Sequence, residues 1–111
     1  MSYFANIAER ESQRDPSLTY FRILDERNGC VNLCRCGISI YTNVEYNDPL
    51  QIGADQEGFV VLEGRGVAKV GDEERSVAPG DAFFAPVGVP RGVKTLNKDE
   101  PLRVFYFHGA G

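Results

Sequence analysis

The chain has 111 residues, of which 12 are Lys or Arg and 16 are Asp or Glu, so its formal net charge is −4. This length fits one domain with its own core. The acidic balance, without any cluster of basic residues, argues against electrostatic binding to nucleic acid or to an anionic membrane. No apolar run approaches the ~20 residues of a transmembrane helix, and no secretory signal pattern is present. Three cysteines do not form a disulfide framework, so we expect a cytoplasmic protein with reduced thiols.

The first seventeen residues differ from the rest in composition. Residues 5–14 are rich in Ala, Glu, Arg and Gln, which favours a short helix, and Asp15-Pro16-Ser17 is a suitable end to it. We therefore expect residues 1–17 to form a helical or extended arm, followed by a single barrel domain over residues 18–111.

From Leu18 onward, short aromatic and β-branched segments alternate with Gly, Pro, Asn and Asp, as is typical of antiparallel sheets. The Asn28-Gly29 dipeptide predicts a tight hairpin between its two flanking segments. Turn residues recur at the spacing of a sandwich or jelly-roll barrel. In the last segment, Arg103, Phe105 and Phe107 alternate with residues of the opposite face. The predicted strands are residues 20–24, 30–34, 38–46, 59–63, 67–70, 75–77, 82–85 and 102–108.

Two spaced motifs lie between about residue 51 and residue 95. In the first, Glu57 is followed by six residues and then Gly64. In the second, Gly80 is followed by five residues and Pro86, and then by Gly88 and Arg91. This spacing resembles the two motifs of the cupin superfamily, G-x5-H-x-H-x3-4-E-x6-G and G-x5-P-x-G-x2-H-x3-N. The resemblance implies an all-β, double-stranded β-helix or jelly-roll barrel with a short N-terminal arm.

In the family pattern, two histidines, the glutamate and a third histidine hold a divalent metal, but here only Glu57 matches. The third histidine position is Arg91, and the asparagine position after it is Thr95. The histidine pair falls on Gln51 and Gly53, or on Leu50 and Ile52 if the spacer is four residues. Because a guanidinium cannot act as a metal ligand, we expect no metal held in the usual family manner.

Glu57 and Arg91 are each open to two interpretations. If Glu57 faces the interior with Phe59 and Val61, its charge needs a partner, and the guanidinium of Arg91 can replace the positive charge of the missing metal. Alternatively, Glu57 points to solvent at the start of its strand. Arg91 either clamps the acidic group of a ligand or forms a purely structural ion pair.

The resulting hypothesis for function is binding of a small polar or anionic molecule in the mouth of the barrel. The expected contacts are Arg91, Glu57 and Gln51, with Tyr41 and Tyr106 as further hydrogen-bonding groups.

The main alternative is a metal-dependent isomerase, epimerase or dioxygenase with a degenerate ligand set. Cys34 and Cys36 lie two residues apart and share a face if they lie on a strand, so with Glu57 and His108 they are candidate replacement ligands for a divalent metal. Against this, free cysteines commonly pack as small apolar groups, and His108 is three residues from the C-terminus, where a half-exposed strand end is expected.

Two further possibilities concern catalysis without metal and association. Some cupin relatives resemble acid–base enzymes that use a histidine and a tyrosine, but the single histidine here lies outside both motifs.

A structural or partner-binding module is favoured if aromatic side chains fill the barrel. The resemblance also implies a homodimer, since the exposed edges of a small sheet favour pairing.

Overall fold

The computed structural model describes residues 1–15 and 18–110, and it is almost entirely built of antiparallel strands. Within these residues the strands in chain order are β1 (Gln13–Asp15), β2 (Leu18–Leu24), β3 (Arg35–Tyr41), β4 (Gln56–Glu63), β5 (Gly66–Val70), β6 (Glu73–Val77), β7 (Ala82–Ala85), β8 (Arg91–Thr95) and β9 (Leu102–Gly109). The jelly-roll architecture predicted from the motifs is confirmed. No helix in the described segments is long and apolar enough to cross a membrane.

The strands form two facing sheets. The larger sheet has the order β1-β2-β3-β9-β4-β7, and the smaller has the order β6-β5-β8. Most of the core lies between them and is fully apolar at its centre, where Val61, Leu102 and Val104 are at most 1% exposed. Each of these residues faces the core because alternate residues of a strand point to opposite sides of its sheet.

The register of the large sheet brings three charged residues into one row. On β9, His108 pairs with Arg35 of β3 on one side and with Glu57 of β4 on the other. Directly paired residues of neighbouring strands have Cβ atoms about 5 Å apart, so their side chains interact. The strand pairing alone therefore assembles an Arg–His–Glu row on the inner face of this sheet.

The N-terminal segment contains less helix than the composition predicted. Its helical part is a single 3-10 turn, Ile7–Glu9, closed by reciprocal hydrogen bonds between Asn6 and Glu9. Residues that favour helix contribute too little in so short a segment to offset the cost of starting an α-helix. The strand β1 then pairs with β2. The predicted stop at Asp15-Pro16-Ser17 lies partly outside the described residues, since Pro16 and Ser17 are not among them, and the arm boundary at residue 17 stays a prediction.

The predicted hairpin around Asn28-Gly29 is wrong. Asn28 ends a 3-10 turn, Glu26–Asn28, whose N-cap is Asp25, and Gly29 follows in the left-handed conformation at φ 95°. Residues 30–34 then form a connection, and β2 pairs with β3 instead. The predicted strand over residues 38–46 also ends earlier, at Tyr41, because Asn43 bonds the backbone of β8 and so carries the chain to the other sheet.

Candidate functional site

A cavity of about 570 Å³ lies between the two sheets at the end that carries the charged row. Its lining contains equal numbers of arginines and carboxylates, together with tyrosines. The arginines are Arg22, Arg35 and Arg91, the carboxylates are Asp15, Asp55 and Glu57, and the tyrosines are Tyr20, Tyr41 and Tyr106. Such a lining suits a molecule that carries both hydrogen-bond donors and acceptors.

His108 lies at the centre of the polar part of this cavity. Its Nε2 is 3.0 Å from Oε2 of Glu57, and its Nδ1 is 3.1 Å from Oδ1 of Asp55. Nη2 of Arg35 also lies 3.1 Å from Nδ1. The side chain of His108 is only 13% exposed, so the expectation of a half-exposed strand end is wrong. The reason is the register of β9, which turns His108 inward with Tyr106.

These contacts give the imidazole a complete set of partners in two protonation states. When both ring nitrogens carry protons, they donate to Glu57 and Asp55. When only Nε2 is protonated, it still donates to Glu57, and Nδ1 accepts from Arg35 instead. The ring therefore has partners at both nitrogens in either state, and a proton exchanged at Nδ1 changes the partner of that nitrogen between Asp55 and Arg35.

Asp55 is the second anchor of this cluster. Besides His108, it accepts a 2.8 Å hydrogen bond from Nη1 of Arg35. Burial acts to raise the pKa of Asp55, but the hydrogen bonds from His108 and Arg35 outweigh it and hold that pKa below its usual value. Asp55 is therefore ionised at neutral pH and fixes the position of both Arg35 and His108.

Arg91 contacts the carboxylate of Glu57, but most of its hydrogen bonds go to the backbone of the loop before β8. Its Nη1 is 3.5 Å from Oε1 of Glu57. Nε and Nη2 donate to the carbonyl oxygens of Pro86 and Val89 at 2.9 to 3.2 Å. Since the side chain is 4% exposed and most of its donors are used, the geometry favours the structural role over the ligand clamp.

The space for this guanidinium comes from a glycine at a family ligand position. A Cβ atom at Gly53 would lie only 3.0 Å from Nη1 of Arg91. A side chain at residue 53 would therefore require the guanidinium of Arg91 to move by a few tenths of an ångström.

The other residues expected to contact a ligand, Gln51, Tyr41 and Tyr106, all line the cavity. They differ in whether their polar groups are already hydrogen-bonded within the protein. The hydroxyl of Tyr106 is 3.3 Å from the carbonyl oxygen of Phe21, to which it donates, and Tyr41 is hydrogen-bonded to Ser39. Burial raises the pKa of both tyrosines above the usual range, so both phenols stay protonated. Gln51 is exposed and pairs with Arg91 through the backbone, which leaves its amide side chain at the rim.

The residues present do not fit the metal that the resemblance implies. Cys34 is exposed outside the strands, and Cys36 pairs with Phe107 on the outer face of the sheet, so the expectation that both thiols point into the barrel is wrong. Glu57 and Asp55 lie against opposite nitrogens of His108 and do not converge on one point. Among the residues that the structure describes, no group of three or more His, Cys, Asp or Glu side chains is placed to hold a metal ion.

Two residues of the cluster, Arg35 and Asp55, were not among the sequence-based candidates. Arg35 lies between Cys34 and Cys36, and the hypothesis that these two cysteines are metal ligands inside the barrel implies that Arg35 points outward. The sequence did contain a signal for Arg35. Tyr41 was expected to line the cavity, and Arg35 lies an even number of positions before it on the same strand, so the two side chains share a face. Asp55 gave a weaker signal, because it is two residues before Glu57 but precedes the first residue of β4.

The comparison with protein families gives a direct result. The model of the family described as "Cupin domain" matches residues 48–108, which is more than half of the chain. The chain belongs to the cupin family. The match includes both motifs and every residue of the charged cluster except Arg35. Comparison with curated protein sequences finds no match for this cupin.

Solved structures agree with the fold. An RmlC-like cupin from Shewanella frigidimarina has a TM-score of 0.79 at 14% identity, with 100% of this chain and 93% of that one covered. The cupin domain of Cnp3 from Schizosaccharomyces pombe has a TM-score of 0.76 at 16% identity, covering 96% and 72%. KdgF from Halomonas sp. has a TM-score of 0.73 at 19% identity, covering 97% and 94%. Identities this low show the shared fold alone.

Proposed function

We propose that this cupin binds a small polar or anionic molecule in the cavity between its sheets. The observation that carries the proposal is the Arg35–His108–Glu57 row, in which polar side chains contact their neighbours at the wall of a cavity of about 570 Å³. Buried charges are costly unless paired, so a charged cluster that faces a cavity is a recurrent property of binding sites.

The position of the ligand differs from the one expected at Arg91. Both arginines line the cavity and bond protein groups, but the side chain of Arg91 is 4% exposed whereas that of Arg35, which bonds Asp55 and His108, is 25% exposed. An acidic or hydroxyl group of the ligand would therefore contact Arg35 and His108. Gln51 and Glu57 remain as polar groups for the rest of the molecule.

A ligand titration tests this function. A panel of small carboxylic acids and sugars is titrated into the protein while the melting temperature is recorded, since a molecule that binds the folded state raises it by mass action. A panel member that binds in the cavity through an acidic or hydroxyl group should lose at least about tenfold in affinity in Arg35→Gln, which corresponds to ~1.4 kcal/mol.

The matched control is Arg65→Gln, which changes an exposed arginine outside the cavity lining. It should leave the affinity unchanged. Equal losses in both variants, or binding that neither variant alters, would place the ligand elsewhere and contradict the proposal.

Acid–base catalysis is a second candidate, and the two protonation states of His108 favour it. A ring nitrogen that lies beside both a carboxylate and a guanidinium at the wall of a cavity is placed for general acid–base work. For any panel member that binds, exchange of its carbon-bound hydrogens with deuterated water is followed by NMR. Exchange that His108→Gln abolishes while binding persists would support an enzyme; binding without any exchange would leave the binding function alone.

The same proposal includes the absence of a metal at the family ligand positions. Elemental analysis of the purified protein should show no stoichiometric iron, nickel, manganese, copper or zinc, and a chelator should leave the melting temperature unchanged. The physical reason is that Arg91 and Gly53 stand where ligands are required. A stoichiometric metal, lost together with stability on chelation, would contradict it.

A further inference from the structure

Two arginines of neighbouring strands border the cavity on either side of a glycine. Arg22 of β2 pairs with Gly37 of β3, and Arg35 lies two residues before Gly37 on the same strand. Both arginines therefore point to the same face of the large sheet, and both line the cavity. Diagonal neighbours of this kind are about 7 to 8 Å apart, which is within reach of long side chains. The two guanidinium groups can thus contact one small group between them.

The absence of a side chain at Gly37 leaves room for a hydroxyl group beside these arginines. A Cβ atom at Gly37 would lie 2.8 Å from the hydroxyl oxygen of Tyr106, so this hydroxyl occupies the space above the glycine. Tyr106 pairs with Gly37 from β9, on the side opposite Arg22. The hydroxyl donates to the carbonyl oxygen of Phe21 at 3.3 Å. The cavity wall around Gly37 therefore carries the polar groups of Arg22, Arg35 and Tyr106.

The ion pairs that Arg22 forms within the protein are weak. Its Nη2 lies 3.0 Å from Oε2 of Glu26, whose side chain is 69% exposed, and exposed pairs of this kind contribute little to stability. Asp25 lies 3.6 Å from Nε of Arg22, but Arg27 binds the same carboxylate at 2.9 to 3.2 Å. Arg22 can therefore turn toward a ligand without leaving the buried Asp25 unpaired.

One nitrogen of Arg22 is buried without a hydrogen bond. Its Nε finds no acceptor among the residues that the structure describes. Oδ2 of Asp25, at 3.6 Å, is too distant to accept a hydrogen bond from it. A buried donor without a partner costs free energy and calls for an explanation. A guanidinium that reorients when a ligand binds provides one, because the movement brings Nε within reach of an acceptor.

We propose that Arg22 and Arg35 together bind the carboxylate of a monocarboxylic acid at the cavity wall above Gly37. Arg22 is then the residue that selects an acid over a neutral molecule of the same shape. The inference rests on the proposed binding function and narrows its class of ligand. The physical basis is that planar guanidinium groups match the two oxygens of a carboxylate and form charge-assisted hydrogen bonds with them.

The charge balance around the two arginines favours one negative charge over two. Three guanidinium groups and three carboxylates form ion pairs in this region. They belong to Arg22, Arg27 and Arg35, and to Asp25, Glu26 and Asp55. This set leaves no surplus positive charge for a dianion such as a phosphate ester. A single carboxylate, however, can take the place of the exposed Glu26 carboxylate at Arg22.

An NMR titration of the arginine side chains tests the inference. The protein carries isotope-labelled arginine, and benzoate and lactate are titrated at mildly acidic pH, with benzamide and lactamide as neutral ligands of matching shape. The Nε–H signals of Arg22 and Arg35, assigned by substitution, should shift together with one dissociation constant for an acid. The corresponding amide should bind at least about tenfold more weakly, because it cannot form the charge-assisted hydrogen bonds.

The decisive variant is Arg22→Gln, which removes the guanidinium while Arg27 keeps Asp25 paired. It should weaken binding of the acid at least about tenfold and leave binding of the amide nearly unchanged. The matched control is Arg75→Gln, which changes a 77% exposed arginine outside the lining of this cavity. It should retain the preference of the wild type for the acid.

Other results would overturn the inference. Equal affinities for acid and amide, or a preference for the acid that survives in Arg22→Gln, would exclude the arginine pair as the carboxylate site. Binding that remains sensitive to Arg35→Gln would in that case leave the proposed function standing. Phenyl phosphate that binds at least about tenfold more tightly than benzoate would show a site for a dianion. If none of the probes shifts the signals of Arg22 and Arg35, the proposed function is contradicted as well.

Discussion

At the scale of single residues, Arg91 supports a loop and neutralises a carboxylate with one guanidinium. We expect Arg91→Ala to lower the free energy of unfolding by about 3 kcal/mol, because the carbonyl oxygens of Pro86 and Val89 and the carboxylate of Glu57 all lose a donor. Chemical denaturation measures the change. The control Arg65→Ala removes an exposed arginine of the same domain and should cost much less. Equal losses in the two variants would contradict the structural role of Arg91.

Asp55 makes the stability of the protein sensitive to acid. Its pKa is lower in the folded chain than the ~3.9 of an unfolded aspartate. The unfolded chain therefore binds the proton more tightly, and protons favour unfolding. The stabilisation is fully present above the unfolded value and is lost as the pH falls through the folded value.

The corresponding experiment compares the wild type with Asp55→Asn. The variant should be less stable at neutral pH, and its free energy of unfolding should fall less steeply between about pH 5 and about pH 2. Asp25, whose pKa is lowered by the hydrogen bond from Arg27, keeps part of the acid response in both proteins. Asp99→Asn, an exposed control, should follow the wild type; parallel curves for all three proteins would contradict the role of Asp55.

At the scale of elements, the pairing of β2 with β3 depends on a residue without a side chain. A Cβ atom at Gly37 would lie 1.8 Å from the carbonyl oxygen of Phe21, a backbone atom that cannot move without disturbing β2. We expect Gly37→Ala to lower the free energy of unfolding by about 3 kcal/mol.

The matched substitution is Gly109→Ala in β9, where a Cβ would meet its nearest neighbour at an ordinary 3.7 Å. Thermal or urea unfolding of both variants provides the comparison. A loss in Gly109→Ala as large as that in Gly37→Ala would show that the effect is a general response to alanine, and not a consequence of the close approach.

The elements also show why the sequence predicted the fold better than the site. Glycines and prolines separate the strands from β4 to β9, and Gly64, Gly71, Gly80 and Gly88 occupy the positive φ angles that their turns require. Turn chemistry of this kind is local and can be read from sequence. The cluster around His108 depends on which face of β3 points inward and on the register between three strands. Both are set by tertiary packing, because a shift of one residue would exchange the two faces.

At the scale of the whole molecule, the outer face of the large sheet carries aromatic side chains in contact with solvent. Phe84 and Phe107 flank Gly58 in one row across three strands, and they are 46% and 44% exposed. Exposed apolar patches commonly mark association surfaces. The homodimer stays a prediction, and this face is where we expect the second copy to pack.

Light scattering coupled to size exclusion measures the mass in solution, which should be twice that of one chain. Phe84→Lys should shift the protein toward the monomer, since burying an unpaired ammonium at an interface is costly. Val87→Lys changes an exposed valine that lies outside the strands and should leave the mass unaltered. A monomeric wild type would rule out the homodimer, and a Phe84→Lys dimer would move its interface to another face.

The register of the large sheet has one more consequence, which concerns depth. Successive inward rows lie about 6.6 Å apart along the strands. The first row holds His108 and Glu57, and the second holds Tyr106 and Phe59. The third holds Val104 and Val61, which are almost fully buried. The wall thus changes from polar to aromatic to aliphatic with depth. Because the ring centroids of His108 and Tyr106 are only 5.5 Å apart, a polar group held at the first row leaves the rest of the molecule against the aromatic second row.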